Sequence, residues 1–205
     1  MTTRSIVVVS GGLSMPSSSR LLADRLAAAT GSALSARGDD AVVETVELRD
    51  HAHAVTDHLL TGFAPAGLKA VLDAVRGADG FIAVTPIFSA SFSGLFKSFL
   101  DVLEPGSLDG KPTLIGATGG TARHSLALEY AVRPVLAYAR ARVAPTAVFA
   151  ASDDWGTAGA GSGLAARIER AGGELADLVL GTVRTQTRDP FDDVTPFERL
   201  LAGDA

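Results

Sequence analysis

Between an apolar run, Ile6-Val7-Val8-Val9, and a helix-like run that begins Leu21-Leu22, the chain reads SGGLSMPSSSR, Ser10 to Arg20. Five serines, two glycines and no lysine stand where a strand hands over to a helix. Serine hydroxyls and the free N–H groups of a helix start suit an anion, here one terminal phosphate dianion. No Gly-Lys-Ser/Thr follows, and Gly11-Gly12 runs into Leu13-Ser14-Met15-Pro16, which breaks the G-x-G-x-x-G spacing. A triphosphate or a Rossmann-type dinucleotide is therefore disfavoured. The candidate phosphate ligands are Ser10, Gly12, Ser14, Ser17, Ser18 and Ser19. The plainer alternative is a serine-rich turn with a single N-cap.

Two further stretches have comparable character. TPIFSASFSGLFKSFLD, Thr85 to Asp101, follows a buried strand with no charge, and a flat uncharged ring could lie along Pro86, Ile87, Phe88 and Ser89. Phe92, Phe96 and Phe99 read equally as plain core. ATGGTARHS, Ala117 to Ser125, puts paired glycines at a strand end, where they permit positive φ or close approach of a ligand to the backbone at Thr118, Gly119 and Gly120. His124 just beyond reads either as a ligand contact or as an exposed first-turn helix residue. A phosphate on one loop and a flat ring on the other two would suit flavin mononucleotide (FMN).

These loops need elements to hold them. Strand-like runs at Ser5–Val9, Ala41–Glu47, Phe81–Val84, Thr113–Ala117 and Ala147–Phe149 alternate with helical runs at Ser17–Ala29, Ala66–Arg76, Gly94–Leu103, Ala122–Ala141 and Leu164–Leu180. Thr85-Pro86 reads as the stop of the third strand. The order predicts a five-stranded parallel sheet with helices on both faces. Such sheets take ligands at the carboxyl ends of their strands, and all three loops follow strands. They should converge on one edge. Residues 1–180 read as one domain and 181–205 as a tail that packs on it or on a neighbouring subunit.

The bulk numbers agree with one α/β domain: 205 residues, 47% apolar, net charge −5. The acidic balance argues against a nucleic-acid partner. No cysteine is present, so thiol chemistry, disulfides and Cys-ligated metals are excluded, and redox chemistry would need a bound cofactor. No secretory signal and no membrane-length apolar run is visible, so a cytoplasmic protein is expected. HAHAVTDH brings His51, His53 and His58 together without a patterned carboxylate, and reads as a lid-like loop rather than a metal site.

The second and third stretches, TPIFSASFSGLFKSFLD and KPTLIGATGGTARHSLALEYAVRPVLAYARA, closely resemble the NADPH-dependent FMN reductase family. Over roughly residues 4–155 the chain is most similar to the alkanesulfonate-type reductases of two-component monooxygenase systems. Family members usually carry Gly-Ser-x-Arg early in the first loop, where this chain has Gly11-Gly12-Leu13-Ser14. The resemblance implies a flavodoxin-like three-layer sandwich. It implies FMN and NADPH as redox partners, with the FMN phosphate on Ser10–Ser19 and the isoalloxazine against Pro86–Ser89 and Thr118–Gly120. It also implies a homodimer or homotetramer and a separate flavin-dependent monooxygenase as consumer of the reduced flavin.

No catalytic triad, metal set or carboxylate pair stands out, as expected where a hydride passes between stacked rings and the protein supplies position and electrostatics. Backbone N–H groups of the second and third loops would stabilise the charge of the reduced ring. Arg20 and Arg123 are candidates for an NADPH phosphate. Pro134 lies inside the long helical run and removes a hydrogen bond to the carbonyl of Tyr130, which predicts an irregular turn over Leu128–Pro134. In the family this helix packs between subunits, which places Tyr130 at an oligomer contact beside the flavin; a buried Tyr130 at a plain kink is the alternative. Two other functions fit the same sequence: a quinone or azo reductase with permanently held FMN, and a non-catalytic flavin-binding electron carrier.

Overall fold

The computed structural model describes residues 1–155 and 163–182. Inside its sheet runs β1 (Thr3–Ser10), whose β-branched run is buried on both sides. Side chains alternate across a strand: Ile6 and Val8 join one core, Val7 and Val9 the other. β1 pairs in parallel with β2 (Asp40–Glu47) and with β3 (Gly80–Phe88), and β3 pairs with β5 (Pro112–Gly119). The order β2-β1-β3-β5, with the last strand beyond, is the flavodoxin-like order. It reverses between β1 and β3, which opens a crevice at the carboxyl ends of those two strands.

The fifth position is filled in two pieces. β6 (Arg142–Val143) and β7 (Val148–Ala151) both lie parallel to β5. Thr113 faces Val143 while Gly116 faces Val148, so two extra residues bulge out around Pro145. Pro145 has no N–H for a ladder, and the chain leaves the sheet there. With the short β4 (Ser91–Phe92) paired antiparallel to β3, the sheet has seven strands where the sequence suggested five.

Two helices cover one face. α1 (Ser18–Ala36) buries Leu22, Leu26 and Leu34, and α6 (Gly163–Leu180) buries Leu164, Ile168 and Leu175 beside it. A fully buried leucine contributes about 1.5–3 kcal/mol. The helices touch through Gly172, where a Cβ would stand 2.8 Å from the backbone of Ala29. On the other face lie α2 (Ala52–Thr61), α3 (Ala66–Gly77), α4 (Gly94–Asp101) and α5 (Arg133–Tyr138). Phe96 and Phe99 are fully buried there, which settles them as core.

Three local expectations are corrected. β3 does not stop at Thr85-Pro86 but runs to Phe88. The Val84 carbonyl accepts the Gly11 N–H at 2.7 Å, and two residues on Pro86 turns its backbone to the same side, past the end of β1. Proline is tolerated there because no strand is present to receive a donor. The segment HAHAVTDH is not a loop: a 3-10 turn (Leu48–His51) leads directly into α2. The long run 122–141 is not one helix. It divides into a 3-10 turn (Ala122–His124), a π turn (Leu128–Val132) and α5 with Pro134 in its first turn. The expected irregular turn before Pro134 is present, since the wide turn accommodates a residue without an N–H.

Candidate active site

The three strand-end loops meet. Gly12, Leu13, Ser14 and Ser17–Ser19, then Pro86–Phe88, then Thr118–Gly120 line one cavity of about 380 Å³. A fourth segment, which the sequence reading missed, completes it with Ala150, Ser152 and Trp155. Its only advance signal was the tryptophan itself, the single one in the chain, just after the last strand. Among the described residues that line the cavity, no side chain carries a charge. A larger cavity of about 530 Å³ lies elsewhere, between the end of α4, residues 103–109 and α5, and none of the strand-end loops reaches it.

Each serine of the first loop has a different task. Ser10 is buried at the end of β1, and its hydroxyl lies 3.5 Å from the Gly12 N–H beneath the cavity. Ser14 donates within the loop, to the Pro16 carbonyl at 3.0 Å. Ser17 is the N-cap of α1 and accepts the Arg20 N–H at 3.2 Å. Ser19 is buried and shares a 2.7 Å hydrogen bond with the Thr118 hydroxyl, which fastens the first loop to the end of β5. Ser18 is exposed at the start of the helix. The first N–H groups of a helix have no partner inside it; with Arg20 capped, those of Ser18 and Ser19 remain for a ligand. Gly12 has no room for a side chain, as its Cβ would meet the Ser17 hydroxyl at 2.0 Å.

The second loop is a tight hairpin. Ser89 and Ala90 turn it with φ of +49° and +68°, in the left-handed region, and Phe88 is half exposed at the rim. Ser93 caps α4 by accepting the Phe96 N–H at 3.2 Å. In the third loop neither glycine has a positive φ, so close approach is their remaining purpose. For Gly119 the neighbour is protein: a Cβ would lie 2.9 Å from the Phe149 ring. For Gly120 nothing lies within 4 Å, and the space beyond it is the cavity.

Ser10, Ser89 and His124 do not line the cavity; His124 is exposed on the 3-10 turn, as is Arg123. Arg20 is already engaged. Its guanidinium donates to Asp24 and Glu47 at 2.8 and 2.9 Å, and the Asp24 hydrogen bond, then the charges of Asp24 and Glu47, hold its pKa above the ordinary arginine value. Tyr130 is 79% exposed on the π turn, which excludes the buried alternative. Among the described residues no three His, Asp or Glu side chains cluster to hold a metal. No helix of the described residues is long and apolar enough to cross a membrane.

A helix start with free donors at one end and an uncharged floor of Pro86, Ile87 and the Gly119-Gly120 backbone at the other fit a flat ring with a phosphate tail. Residues 4–156 match the family model for NADPH-dependent FMN reductase. The chain belongs to that family. The FMN reductase (NADPH) of Pseudomonas aeruginosa is 36% identical over 150 residues, 73% of this chain and 78% of the relative. The NADH-dependent FMN reductase SfnF of Pseudomonas putida is 34% identical over 145 residues, 71% of this chain and 76% of the relative. Among solved structures, an oxidoreductase from Corynebacterium diphtheriae superposes with a TM-score of 0.84 at 43% identity, over 89% of this chain and all of that one. The family is one of NAD(P)H-dependent flavin reductases, and this FMN reductase family member has their fold and an uncharged strand-end cavity.

Proposed function

We propose that this enzyme binds FMN in the four-segment cavity, reduces it with NAD(P)H, and releases the reduced flavin to a separate flavin-dependent monooxygenase. The carrying observation is the meeting of the three loops around a cavity without a charged side chain. Bound NAD(P)H and FMN would supply the redox chemistry, the nicotinamide giving a hydride to the flavin. The residues supply position. Ser14, Ser17, Ser18 and Ser19 take the phosphate at the start of α1. Ile87, Phe88, Thr118, Gly119 and Gly120 bring backbone to the ring, and the N–H of Gly120, beyond the last pairing of β5, would steady the negative charge of its reduced form. Among the described residues no lysine or arginine lines the cavity.

The proposed oligomer contact is Tyr130, which with Leu126 and Tyr138 exposes apolar surface along the π turn and α5. An aromatic side chain left 79% exposed on an irregular turn favours a partner surface, here another copy. Tyr130→Ala is expected to lower the oligomeric state in sedimentation and to change the rate of flavin release; unchanged values of both would remove Tyr130 from this role.

Anaerobic mixing of protein, NADPH and a large excess of FMN tests the main reading. Many equivalents of FMN should lose their visible absorbance per protein. Bleaching that stops at one equivalent, with electrons passed on only to a quinone or dye, would replace this reading with a reductase that keeps its flavin.

A further inference from the structure

The first loop is secured from outside by a chain of ion pairs that the reaction itself does not use. Glu47 is the last residue of β2, paired with Ser10 of β1. One of its carboxylate oxygens accepts from Arg20 at 2.9 Å and the other lies 2.7 Å from the Arg49 guanidinium. Arg49 then donates a second N–H to the Ser14 carbonyl at 2.8 Å. Glu47 and Arg49 are largely covered, with side chains 15% and 18% exposed, so these contacts are only partly screened by solvent. Residues 13–16 are exposed, and the Arg49 bond is their one hydrogen bond to another element among the described residues. Arg20 fixes the other end of the loop, where α1 begins.

We infer that Glu47 is a positioning residue for phosphate recognition: it aims Arg49 at the Ser14 carbonyl and ties Arg20, in the first turn of α1, to the end of β2, and so sets the shape of the serine loop. The inference rests on the proposed placement of the FMN phosphate on that loop. Charge and position predict opposite signs here. Glu47 is a negative charge behind the loop, so removing it should tighten a dianion if charge alone counted. If position counts, removing it loosens the dianion, because Arg49 is left with the longer Asp50 contact at 3.6 Å and Arg20 with Asp24 on its own helix, and neither then ties the loop to β2.

Trp155 lines the cavity and is the only tryptophan, so its fluorescence reports occupancy. The experiment titrates FMN and riboflavin, which lacks the phosphate, into wild type, Glu47→Gln and Arg49→Lys. Glu47→Gln is expected to weaken FMN by about tenfold, the scale of one charge-assisted hydrogen bond, and to move riboflavin less than about twofold. Arg49→Lys keeps the charge but lacks the planar fork that spans Glu47 and Ser14, and should behave as Glu47→Gln does. In turnover, the KM for FMN should rise while that for NADPH holds. FMN bound as tightly or more tightly by Glu47→Gln, equal loss of FMN and riboflavin, or wild-type affinity in Arg49→Lys would each overturn the inference. A wild-type protein that binds FMN no better than riboflavin would overturn it together with the placement it rests on, and is recognisable before any variant is made.

Discussion

At the scale of single residues, the two glycines of the third loop separate a structural need from a ligand's need. Gly119 is confined by the Phe149 ring at 2.9 Å from its would-be Cβ, whereas Gly120 faces open cavity. Gly119→Ala should therefore destabilise the fold by about 1–3 kcal/mol, as overpacking does, and lower the melting temperature by several degrees. Gly120→Ala should melt as wild type does and yet bind FMN more weakly, read by the Trp155 signal. Equal FMN affinity in Gly120→Ala would mean that the ring does not approach that backbone. Ser19→Ala leaves the buried Thr118 hydroxyl without its 2.7 Å partner. A cost of about 1–3 kcal/mol in denaturant melts is expected. The residue types in these loops were legible because serine and glycine at a strand end have few purposes. The division of labour among the serines was not, since cap, clamp and buried anchor look alike in sequence. Trp155 escaped because its place beside the first loop depends on β7 returning next to β5, a contact between distant parts of the chain.

At the scale of elements, the periodic segments were legible and the exceptions came from proline and from turns. Pro134 announced the π turn, because a missing N–H has a direct local consequence. Pro86 misled, because whether a proline ends a strand depends on whether a neighbour awaits its donor, and β1 ends too early to do so. The Ser89-Ala90 turn has two positive φ values, where hairpins ordinarily use Asn-Gly. Ala90→Gly should relieve about 0.5–1 kcal/mol and raise the melting temperature by a few degrees. No change would mean that the turn carries no strain. The start of β1 is tied to the turn before β2 by Asp39, which accepts from Arg4 Nε at 2.8 Å and from the Thr2 N–H at 3.0 Å. These bonds, Arg4's first, hold the Asp39 pKa below the ordinary carboxylate value. A lowered folded pKa stabilises above the unfolded value, and that stability is lost as pH falls through the folded one. Asp39→Asn should thus melt earlier than wild type at neutral pH, and the gap should close in acid. A gap that persists there would assign the effect to something other than this carboxylate.

At the scale of the whole molecule, the strand order decides where chemistry can occur. The reversal between β1 and β3 opens the crevice, and each loop that enters it follows a strand. The larger cavity near α5 has no such loops. The alternation of strands and helices made this architecture legible; the last strand was read at Ala147–Phe149, but its first piece was hidden because β6, two residues long, leaves no periodic trace. What remains is whether flavin passes through this cavity as a substrate. The most direct measurement is the steady-state rate of NADPH oxidation as free FMN is titrated into the purified enzyme. The account predicts a rate near zero without added FMN and a saturable rise with it. Oxidation that proceeds on a quinone or dye without added FMN, or no oxidation at any FMN concentration, would contradict it.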